Sequence, residues 1–306
     1  MSLLRDNFGK KFIATGEASP PPGPDMTEFA HEVAEMKPMM DKIEGVNVVD
    51  IPGARVLMSS LGASIYMMQQ GVEPIFQMTV RDRNMLALQA DLISAATFGI
   101  ENVLSLAGDH PACDAADHKG AKPVYDLDST TLITTMKMMN DGKMLNGSDM
   151  NGKTNFFMGA AIGPTSSPLD GEVYKTKRKL NAGADFFQTQ GIFDVEPMQN
   201  FLNLYDKLIG EDIASKTLVG IVPIRSYGMM MYLLSMPGVV IKDAVVNSVK
   251  KAQDEQKKTG KKGIIEDAGI DLCINLVDDI KGLGMKGVHI MPVGNVRALK
   301  AIVGSL

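Results

Sequence analysis

Eight short apolar segments of strand type, each followed by a segment with helical spacing of apolar residues, occupy almost the whole 306-residue chain. The segments are rich in β-branched and aromatic residues and mostly lack polar alternation, which is typical of parallel strands buried on both faces. This repeated order predicts the α/β class and a (β/α)8 TIM barrel. The predicted strands are 12–17, 46–51, 75–80, 103–106, 155–162, 186–190, 218–224 and 288–293.

The length of the chain favours a single barrel domain covering residues 1–306. Because a typical barrel needs roughly 250 residues, we assign the surplus to loops. A helix is predicted over residues 84–98, where apolar residues recur at helical spacing before Gly99. The three predicted long loops are 109–128, 143–154 and 250–264.

Composition excludes several classes of protein. With 45% hydrophobic and 22% charged residues and a net charge of −5, the chain is typical of a globular protein without a nucleic-acid or anionic-membrane footprint. No apolar stretch is long enough to span a bilayer and no signal sequence is evident, so we expect a cytoplasmic protein. The two cysteines match no metal or redox spacing, and no metal site is predicted.

Polar residues stand where the predicted strands end. In a (β/α)8 barrel the carboxyl ends of the strands converge on one mouth, where active sites lie. We therefore expect these side chains to meet, in a set that contains carboxylates and carboxamides but no His/Cys cluster. The residues are Glu17, Asp50, Gln77, Thr79, Arg81, Asp109, Ala160, Ala161, Gln190, Arg225, Tyr227 and Asn295.

Two carboxylates are the first candidates for chemistry. Glu17 ends an apolar strand and is followed by three consecutive prolines, and partial desolvation there would raise the pKa of its carboxyl toward general-acid use. A hydrogen-bonding role is the alternative. Gly108 would let a ligand approach the backbone beside Asp109, although Gly-Asp is also a common turn dipeptide.

The sixth strand carries two glutamines. Strand alternation predicts that Gln188 and Gln190 point to the same side, which is the barrel interior near the mouth. A carboxamide both donates and accepts, so it matches the edge of a pteridine or pyrimidine ring. No GxGxxG or P-loop motif occurs, and a Rossmann dinucleotide site is therefore not supported.

The order and spacing of these motifs resemble the methylenetetrahydrofolate reductase family, in a bacterial form with the catalytic barrel only. The resemblance extends over nearly the entire chain. Each motif is weak alone, but together they are specific. The segments that carry it are 15–17, 58–61, 77–84, 88–92, 106–109, 177–184 and 189–194.

The resemblance implies site residues. Glu17 matches the general acid that helps N10 leave when the ring of 5,10-methylenetetrahydrofolate opens, and Asp109 matches an aspartate near the flavin and the pterin. Gln190 matches the glutamine that reads the pterin, and Tyr227 falls near the p-aminobenzoyl ring. The implied flavin-binding residues are Gln77, Thr79, Leu106, Ala107, Gly108, Asp109, Ala160, Ala161, Glu172 and Lys179.

The resemblance also implies a reaction and partners. The expected reaction is ping-pong hydride transfer through flavin N5, giving 5-methyltetrahydrofolate for one-carbon metabolism and methionine biosynthesis. FAD is expected, with FMN as the alternative, because Ala107 and Gln77 depart from the family pattern. The electron donor is NADH, NADPH or a partner protein. A homo-oligomer is expected, with a small partner subunit in some relatives.

Two other functions are compatible with the same residues. A folate-binding methyltransferase barrel would use the pterin-reading carboxylates and carboxamides without a flavin. A non-catalytic subunit of a one-carbon complex would bind folate or a partner, but Glu17 and Asp109 argue against it because a scaffold needs no acid at the barrel mouth.

Overall fold

The computed structural model describes residues 2–236 and 238–306. Its eight strands are parallel and close into a barrel in sequence order, with the last strand paired to the first. The predicted (β/α)8 barrel is thereby confirmed. The strands are β1 Ile13–Ala18, β2 Val46–Val48, β3 Pro74–Thr79, β4 Asn102–Leu106, β5 Phe157–Ile162, β6 Phe186–Ile192, β7 Thr217–Ile221 and β8 Gly287–Ile290.

Helices connect the strands and surround the barrel. The predicted helix over 84–98 is confirmed: the side chain of Asn84 caps it by accepting the Ala87 N–H at 3.0 Å, and Gly99 follows it with φ +84°. The helices are α1 Leu3–Asn7, α2 Thr27–Met36, α3 Ser60–Gln70, α4 Met85–Thr97, α5 Ser129–Asn140, α6 Leu169–Ala182, α7 Glu196–Ile209, α8 Tyr227–Ser235, α9 Asp243–Thr259, α10 Ile264–Gly282 and α11 Val296–Gly304.

Two of the three predicted long loops are confirmed. Residues 109–128 form no helix or strand, and residues 143–154 contain only an isolated bridge. The loop predicted over 250–264 is wrong, because α9 continues to Thr259. Val249 and Ala252 are buried on one face of that helix while its charged face stays in solvent, and Gly260 ends it in the left-handed conformation.

The lower half of the barrel interior is apolar. Side chains from six strands pack there on Leu4 of α1, and Phe8 packs against the same cluster. A much larger apolar layer lies between the outer faces of the strands and the helices. The six residues of the inner cluster are Ile13, Ile75, Leu104, Phe157, Phe186 and Leu218.

One helix packs unusually close to a strand exit. A Cβ on Gly269 of α10 would lie 2.0 Å from the carbonyl oxygen of Ile224, which follows β7. Only a residue without a side chain permits this contact. Gly269 therefore fixes the distance between α10 and the segment that leads from β7 into α8.

Candidate active site at the carboxyl ends of the strands

The upper half of the barrel interior is polar. Alternation along a strand places Thr15 and Glu17 on the same inward face of β1 as Ile13. Branched apolar residues ordinarily fill this space in (β/α)8 barrels. The polar interior below the mouth therefore indicates a site for a polar ligand. Its members are Thr15, Glu17, Asn47, Gln77, Gln188 and His289.

A histidine links the predicted acid to the barrel interior. His289 Nε2 lies 3.4 Å from Glu17 Oε2, and His289 Nδ1 lies 3.0 Å from the Thr15 hydroxyl. The histidine side chain is buried, whereas that of Glu17 is 21% exposed toward the mouth. The imidazole therefore lies against the Glu17 carboxylate and limits its orientation.

Two carboxamides meet across the barrel axis below this pair. Asn47 Nδ2 donates to Gln188 Oε1 at 2.7 Å, and Gln188 Nε2 donates to Asn47 Oδ1 at 3.2 Å. The residues stand on opposite strands, β2 and β6, and both are buried. Because each satisfies the other, the pair forms a stable polar floor beneath the mouth.

Strand β6 does not keep the regular alternation that the sequence predicts. Its register with β7 shifts between Gln188 and Gly191, which is a β-bulge. A Cβ on Gly220 of β7 would lie 2.5 Å from the Thr189 carbonyl oxygen, so the bulged backbone fills the space that a side chain would need. Gln190 is exposed beyond the bulge, and its Oε1 lies within 3.4 Å of where a Cβ on Gly238 would stand.

Asp50 is the centre of a structural network. Its carboxylate accepts hydrogen bonds from Arg83 Nη1 at 2.8 Å and from both the N–H and the hydroxyl of Thr79 at 2.8 and 2.9 Å. Burial alone would raise the pKa of Asp50, but the hydrogen bonds and charge of Arg83 and the bonds from Thr79 outweigh it and hold that pKa below 3.8. The structure thus places Thr79 in this ionised network.

The segment after β4 is held from two sides. Asp109 Oδ2 accepts the N–H of Gly53 at 2.7 Å, and Arg81 donates to the Asp109 carbonyl oxygen at 2.9 Å. Gly108 has φ +87°, and a Cβ there would lie 3.0 Å from Thr79 Cβ. Leu106 is half-buried at the end of β4, and Ala107 is exposed at the rim. These contacts fix the Asp109 backbone beside the mouth while its side chain stays accessible.

The residues of β5 and α6 are bonded mainly to one another. Lys179 donates from Nζ to the carbonyl oxygen of Ala161 at 2.5 Å, and its burial lowers the pKa of the ammonium group. Glu172 accepts the Gly163 N–H at 3.0 Å. Its other oxygen accepts a hydrogen bond from a lysine one turn away. Ala160 packs in the outer apolar layer, so its side chain does not face the mouth.

Three further strand-end residues have structural positions. Tyr227 begins α8, is half-buried and packs in an apolar cluster with Ile224 and Met230. Arg225 is exposed just before it. Asn295 caps α11 by accepting the Ala298 N–H at 3.2 Å. The structure does not join this group to Glu17 through a hydrogen bond or ion pair.

Residues 2–236 and 238–306 contain neither a metal-binding cluster nor a membrane-spanning helix. No group of three or more His, Cys, Asp or Glu side chains is arranged to hold a metal ion. No described helix combines the length and the apolar character needed to cross a membrane.

Glu32 on α2 is a second carboxyl near the site, and the sequence did not point to it. Its Oε1 is buried without a hydrogen-bond partner among the described residues. Burial, together with the charges of Glu17 and Glu35, raises the pKa of Glu32 from 4.5 to about 7. A carboxyl of this kind is neutral in mildly acidic solution and costs free energy when it ionises.

We predict that the Glu32→Gln variant is more stable than the parent protein above neutral pH. The pKa of Glu32 is higher in the folded protein than in the unfolded chain. The stability associated with the neutral carboxyl is therefore fully present below pH 4.5 and is lost as pH rises through about 7, because the buried group then has to ionise. The free energy of unfolding of the variant should exceed that of the parent by roughly 2–3 kcal/mol at pH 8.5 and should differ little from it at pH 4.5. Urea unfolding at both pH values measures the difference. An equal change in unfolding free energy at pH 4.5 and pH 8.5 would contradict the raised pKa of Glu32.

The chain is thus a closed (β/α)8 barrel in which Glu17 and His289 meet at the carboxyl ends of the strands, the end where barrel enzymes carry their active sites. The family model for methylenetetrahydrofolate reductase matches residues 3–306, and the chain belongs to this family. The resemblance inferred from the sequence motifs is confirmed.

Named relatives share limited identity with the chain. Methylenetetrahydrofolate reductase 1 of Schizosaccharomyces pombe is 23% identical over 239 residues, which are 77% of this chain and 36% of the relative. The 5,10-methylenetetrahydrofolate reductase of Pectobacterium carotovorum subsp. carotovorum is 22% identical over 212 residues, 68% of this chain and 61% of the relative. The chain thus spans about a third and about three fifths of their lengths.

A solved structure shares the fold over almost the full chain. It is a Clostridium thermocellum protein described as binding two copies of 5-methyl-5,6,7,8-tetrahydrofolic acid. The TM-score is 0.62 at 15% identity, with 99% of this chain and 97% of the other covered. At this identity the likeness establishes the fold alone.

Proposed function

We propose that the protein reduces 5,10-methylenetetrahydrofolate to 5-methyltetrahydrofolate with the help of a bound flavin. The observation that carries this proposal is the Glu17 carboxylate held at the barrel mouth by His289, in a chain that matches the reductase family from residue 3 to 306. This pair provides the proton that opening of the folate ring requires.

Glu17 acts as the general acid in this proposal. Protonation of N10 allows the bond between N10 and the methylene carbon to break, which leaves a cationic iminium at N5 of the pterin. His289 holds the carboxylate that has lost its proton and supplies a path for its return, and Thr15 orients His289 from the other ring nitrogen. The negative charge of Asp109, fixed at the rim by Gly53 and Arg81, favours the developing cation.

The mouth fits a planar heterocycle. Ala107 and Ala161 are small, Gly108 brings the backbone to the rim, and the buried Gln77 carboxamide makes no hydrogen bond within the described residues. A bound flavin would accept a hydride from NADH, NADPH or a protein donor and pass it to the folate in a ping-pong sequence. The residues from Leu106 to Asp109, with Ala161, would hold its ring system. FAD is the first proposal and FMN the second.

The His289→Asn variant tests the proton path. Asparagine can keep the hydrogen bond to Thr15, but it neither titrates nor extends to the Nε2 position beside Glu17, so kcat for folate reduction should fall at least about 10-fold and its pH dependence should change. The exposed His31→Asn is the matched control and should behave like the parent protein. A His289→Asn variant with unchanged kcat and pH profile would remove the proton path from the mechanism.

A flavin-free folate-binding barrel, such as a methyltransferase, is the second candidate. The polar groups of Glu172 and Lys179, which the family resemblance assigns to the flavin, are bonded within the protein. The Clostridium thermocellum barrel is described with two folates. Both observations are compatible with a mouth occupied by folate alone.

An anaerobic visible spectrum of the purified protein separates the two candidates. Flavin bands that bleach with NADH and return on addition of 5,10-methylenetetrahydrofolate support the reductase and identify its donor. Flavin bands that do not respond to NADH but bleach with dithionite and return with the folate indicate another donor. Absence of flavin after reconstitution with both FAD and FMN would overturn the reductase proposal in favour of the flavin-free barrel.

A further inference from the structure

A hydroxyl group joins two strands at the bulge of β6. Thr189 lies at this bulge and is 4% exposed. Its Oγ1 accepts the N–H of Gly220 on β7 at 2.8 Å and donates to the carbonyl oxygen of Gln190 at 2.7 Å. In a regular parallel ladder that N–H would donate to a backbone carbonyl of the adjacent strand. The threonine side chain therefore replaces one bond of the ladder between β6 and β7.

The bulge depends on two features of the sequence at this point. Gly220 is buried, so its N–H needs a partner within the protein, and the hydroxyl of Thr189 is that partner. Gly220 also lacks a side chain. A Cβ there would lie 2.5 Å from the Thr189 carbonyl oxygen and 2.7 Å from that of Gln190. The glycine makes room for the bulged backbone, and the threonine hydroxyl bonds it in place.

The bulge determines where the Gln190 side chain points. The register pairs Gln188 with Leu218, and the next pair lies three residues further along β6 but only two residues further along β7. Regular alternation would place Gln190 on the inward side together with Gln188. Instead Gln188 is buried in the floor of the site, whereas Gln190 is exposed at the rim. The extra residue has re-aimed the side chain that follows it.

Thr189 acts on the site through the residues that it holds. Its hydroxyl has one hydrogen, which it donates to the Gln190 carbonyl oxygen, and it accepts a hydrogen bond from Gly220. The residue is buried, so both bonds lie within the protein. Of the two residues bonded to this hydroxyl, only Gln190 carries a functional side chain at the mouth.

We propose that Thr189 is a positioning residue for folate recognition, whose hydroxyl holds the β6 bulge and thereby presents the Gln190 carboxamide to the pterin ring. The inference rests on the proposed function and on the pterin-reading role that the family resemblance implies for Gln190. A carboxamide reads a ring edge through a donor and an acceptor together, so both bonds form only when its orientation is fixed. Thr189 thus determines folate affinity without contacting folate.

A graded series of substitutions tests the proposal. Thr189→Val removes both hydrogen bonds at nearly constant size, Thr189→Cys leaves a weak donor and acceptor, and Thr189→Ser keeps the hydroxyl. Anaerobic equilibrium dialysis measures the affinity of the reduced holoenzyme for 5-methyltetrahydrofolate. We expect the dissociation constant to rise at least about 10-fold in Thr189→Val, by a smaller factor in Thr189→Cys and by less than about 2-fold in Thr189→Ser. Thr189→Cys carries the comparison if Thr189→Val does not fold.

Kinetics of the same variants provide a second measurement. In Thr189→Val, KM for 5,10-methylenetetrahydrofolate should rise by a larger factor than kcat falls, because the change affects binding of the pterin and leaves the acid, Glu17, in place. Flavin content, measured by absorbance, and the rate of flavin reduction by the donor should stay at the parental values. Loss of flavin with normal folate affinity would overturn the assignment.

Thr217→Val is the matched control. Thr217 is buried on β7, and its hydroxyl donates to the carbonyl oxygen of Ile213 at 2.8 Å. It begins the strand, so the same chemical change removes a buried hydrogen bond at the end of the barrel away from the mouth. This variant should be less stable in urea but should bind folate like the parent protein. A loss of folate affinity as large as that of Thr189→Val would contradict a specific role for Thr189.

A double-mutant cycle separates positioning from a general structural role. Gln190→Ala alone should weaken folate binding at least about 10-fold. In that background Thr189→Val should weaken it by less than about a further 2-fold, because the carboxamide that Thr189 positions is gone. Equal effects of Thr189→Val in both backgrounds, unchanged folate affinity in Thr189→Val, or equal losses in Thr189→Ser and Thr189→Val would overturn the assignment. Failure of the parent protein to bind any folate would instead refute the proposed function.

Discussion

The Glu17→Gln variant is expected to lose at least about 100-fold in kcat for folate reduction while it keeps its fold and its bound flavin. Glutamine has nearly the shape of glutamate and can still hydrogen-bond to His289, but it cannot deliver a proton to N10. Reduction of the flavin by its donor needs no such proton. Stopped-flow measurement of the two half-reactions should therefore show loss in the folate half only.

The control for this experiment is Glu255→Gln, which makes the same chemical change on the exposed face of α9. It should leave both half-reactions unaltered. Near-parental turnover of Glu17→Gln with 5,10-methylenetetrahydrofolate would exclude Glu17 as the acid. Equal loss in both half-reactions would indicate damage to the flavin site instead.

The Gly269→Ala variant is expected to lose at least about 3 kcal/mol of unfolding free energy. Its new Cβ would lie 2.0 Å from the Ile224 carbonyl oxygen and 2.8 Å from the carbonyl carbon, so either α10 or the exit of β7 must move. Both nearby atoms belong to the backbone, which cannot rotate away as a side chain could. Helix propensity alone predicts the opposite result, a gain of about 1 kcal/mol.

Gly282→Ala in the same helix separates the steric effect of a new Cβ from the effect of helix propensity. No atom lies within 4 Å of a Cβ at that position, so the substitution should be neutral or stabilise the protein by up to about 1 kcal/mol. Urea unfolding of both variants gives the comparison. Equal stability of the two would show that α10 does not pack on Ile224 as closely as described.

The barrel itself could be predicted from the sequence. All eight predicted strands are present because each is a short apolar segment between turn residues, a pattern that buried parallel strands require. The predicted ends of the strands were less accurate. Strand β2 stops at Val48, three residues before its predicted end. Asp50, two residues further on, belongs instead to a network with Thr79 and Arg83, which no local pattern reveals.

Much of the site depends on contacts between distant parts of the chain. Thr15 and His289 are 274 positions apart, and Asn47 and Gln188 are 141 apart. The sequence pointed to Glu17 as a candidate but not to His289, although a lone histidine in an apolar strand was a detectable signal. The β6 bulge could not be anticipated, because it depends on the absence of a side chain at Gly220 in the neighbouring strand.

The predicted site residues fall into different environments for the same reason. Glu17 and Gln77 line the upper interior, and Asp109 and Gln190 lie at the rim, as convergence of strand ends implies. Glu172 and Lys179 are bonded to their own loop and strand, although their motif matched the family. A motif identifies residue types, whereas their partners are determined only in the folded protein.

The acid and the histidine that holds it come from the first and the last strands of the barrel, β1 and β8. During synthesis Glu17 leaves the ribosome long before His289, so the pair cannot exist until β8 has docked against β1. Nascent chains that have formed only the earlier strands would thus lack the contact between Glu17 and His289. The contact between Glu17 and His289 forms only when the barrel closes, which makes it a natural reporter of the final folding step.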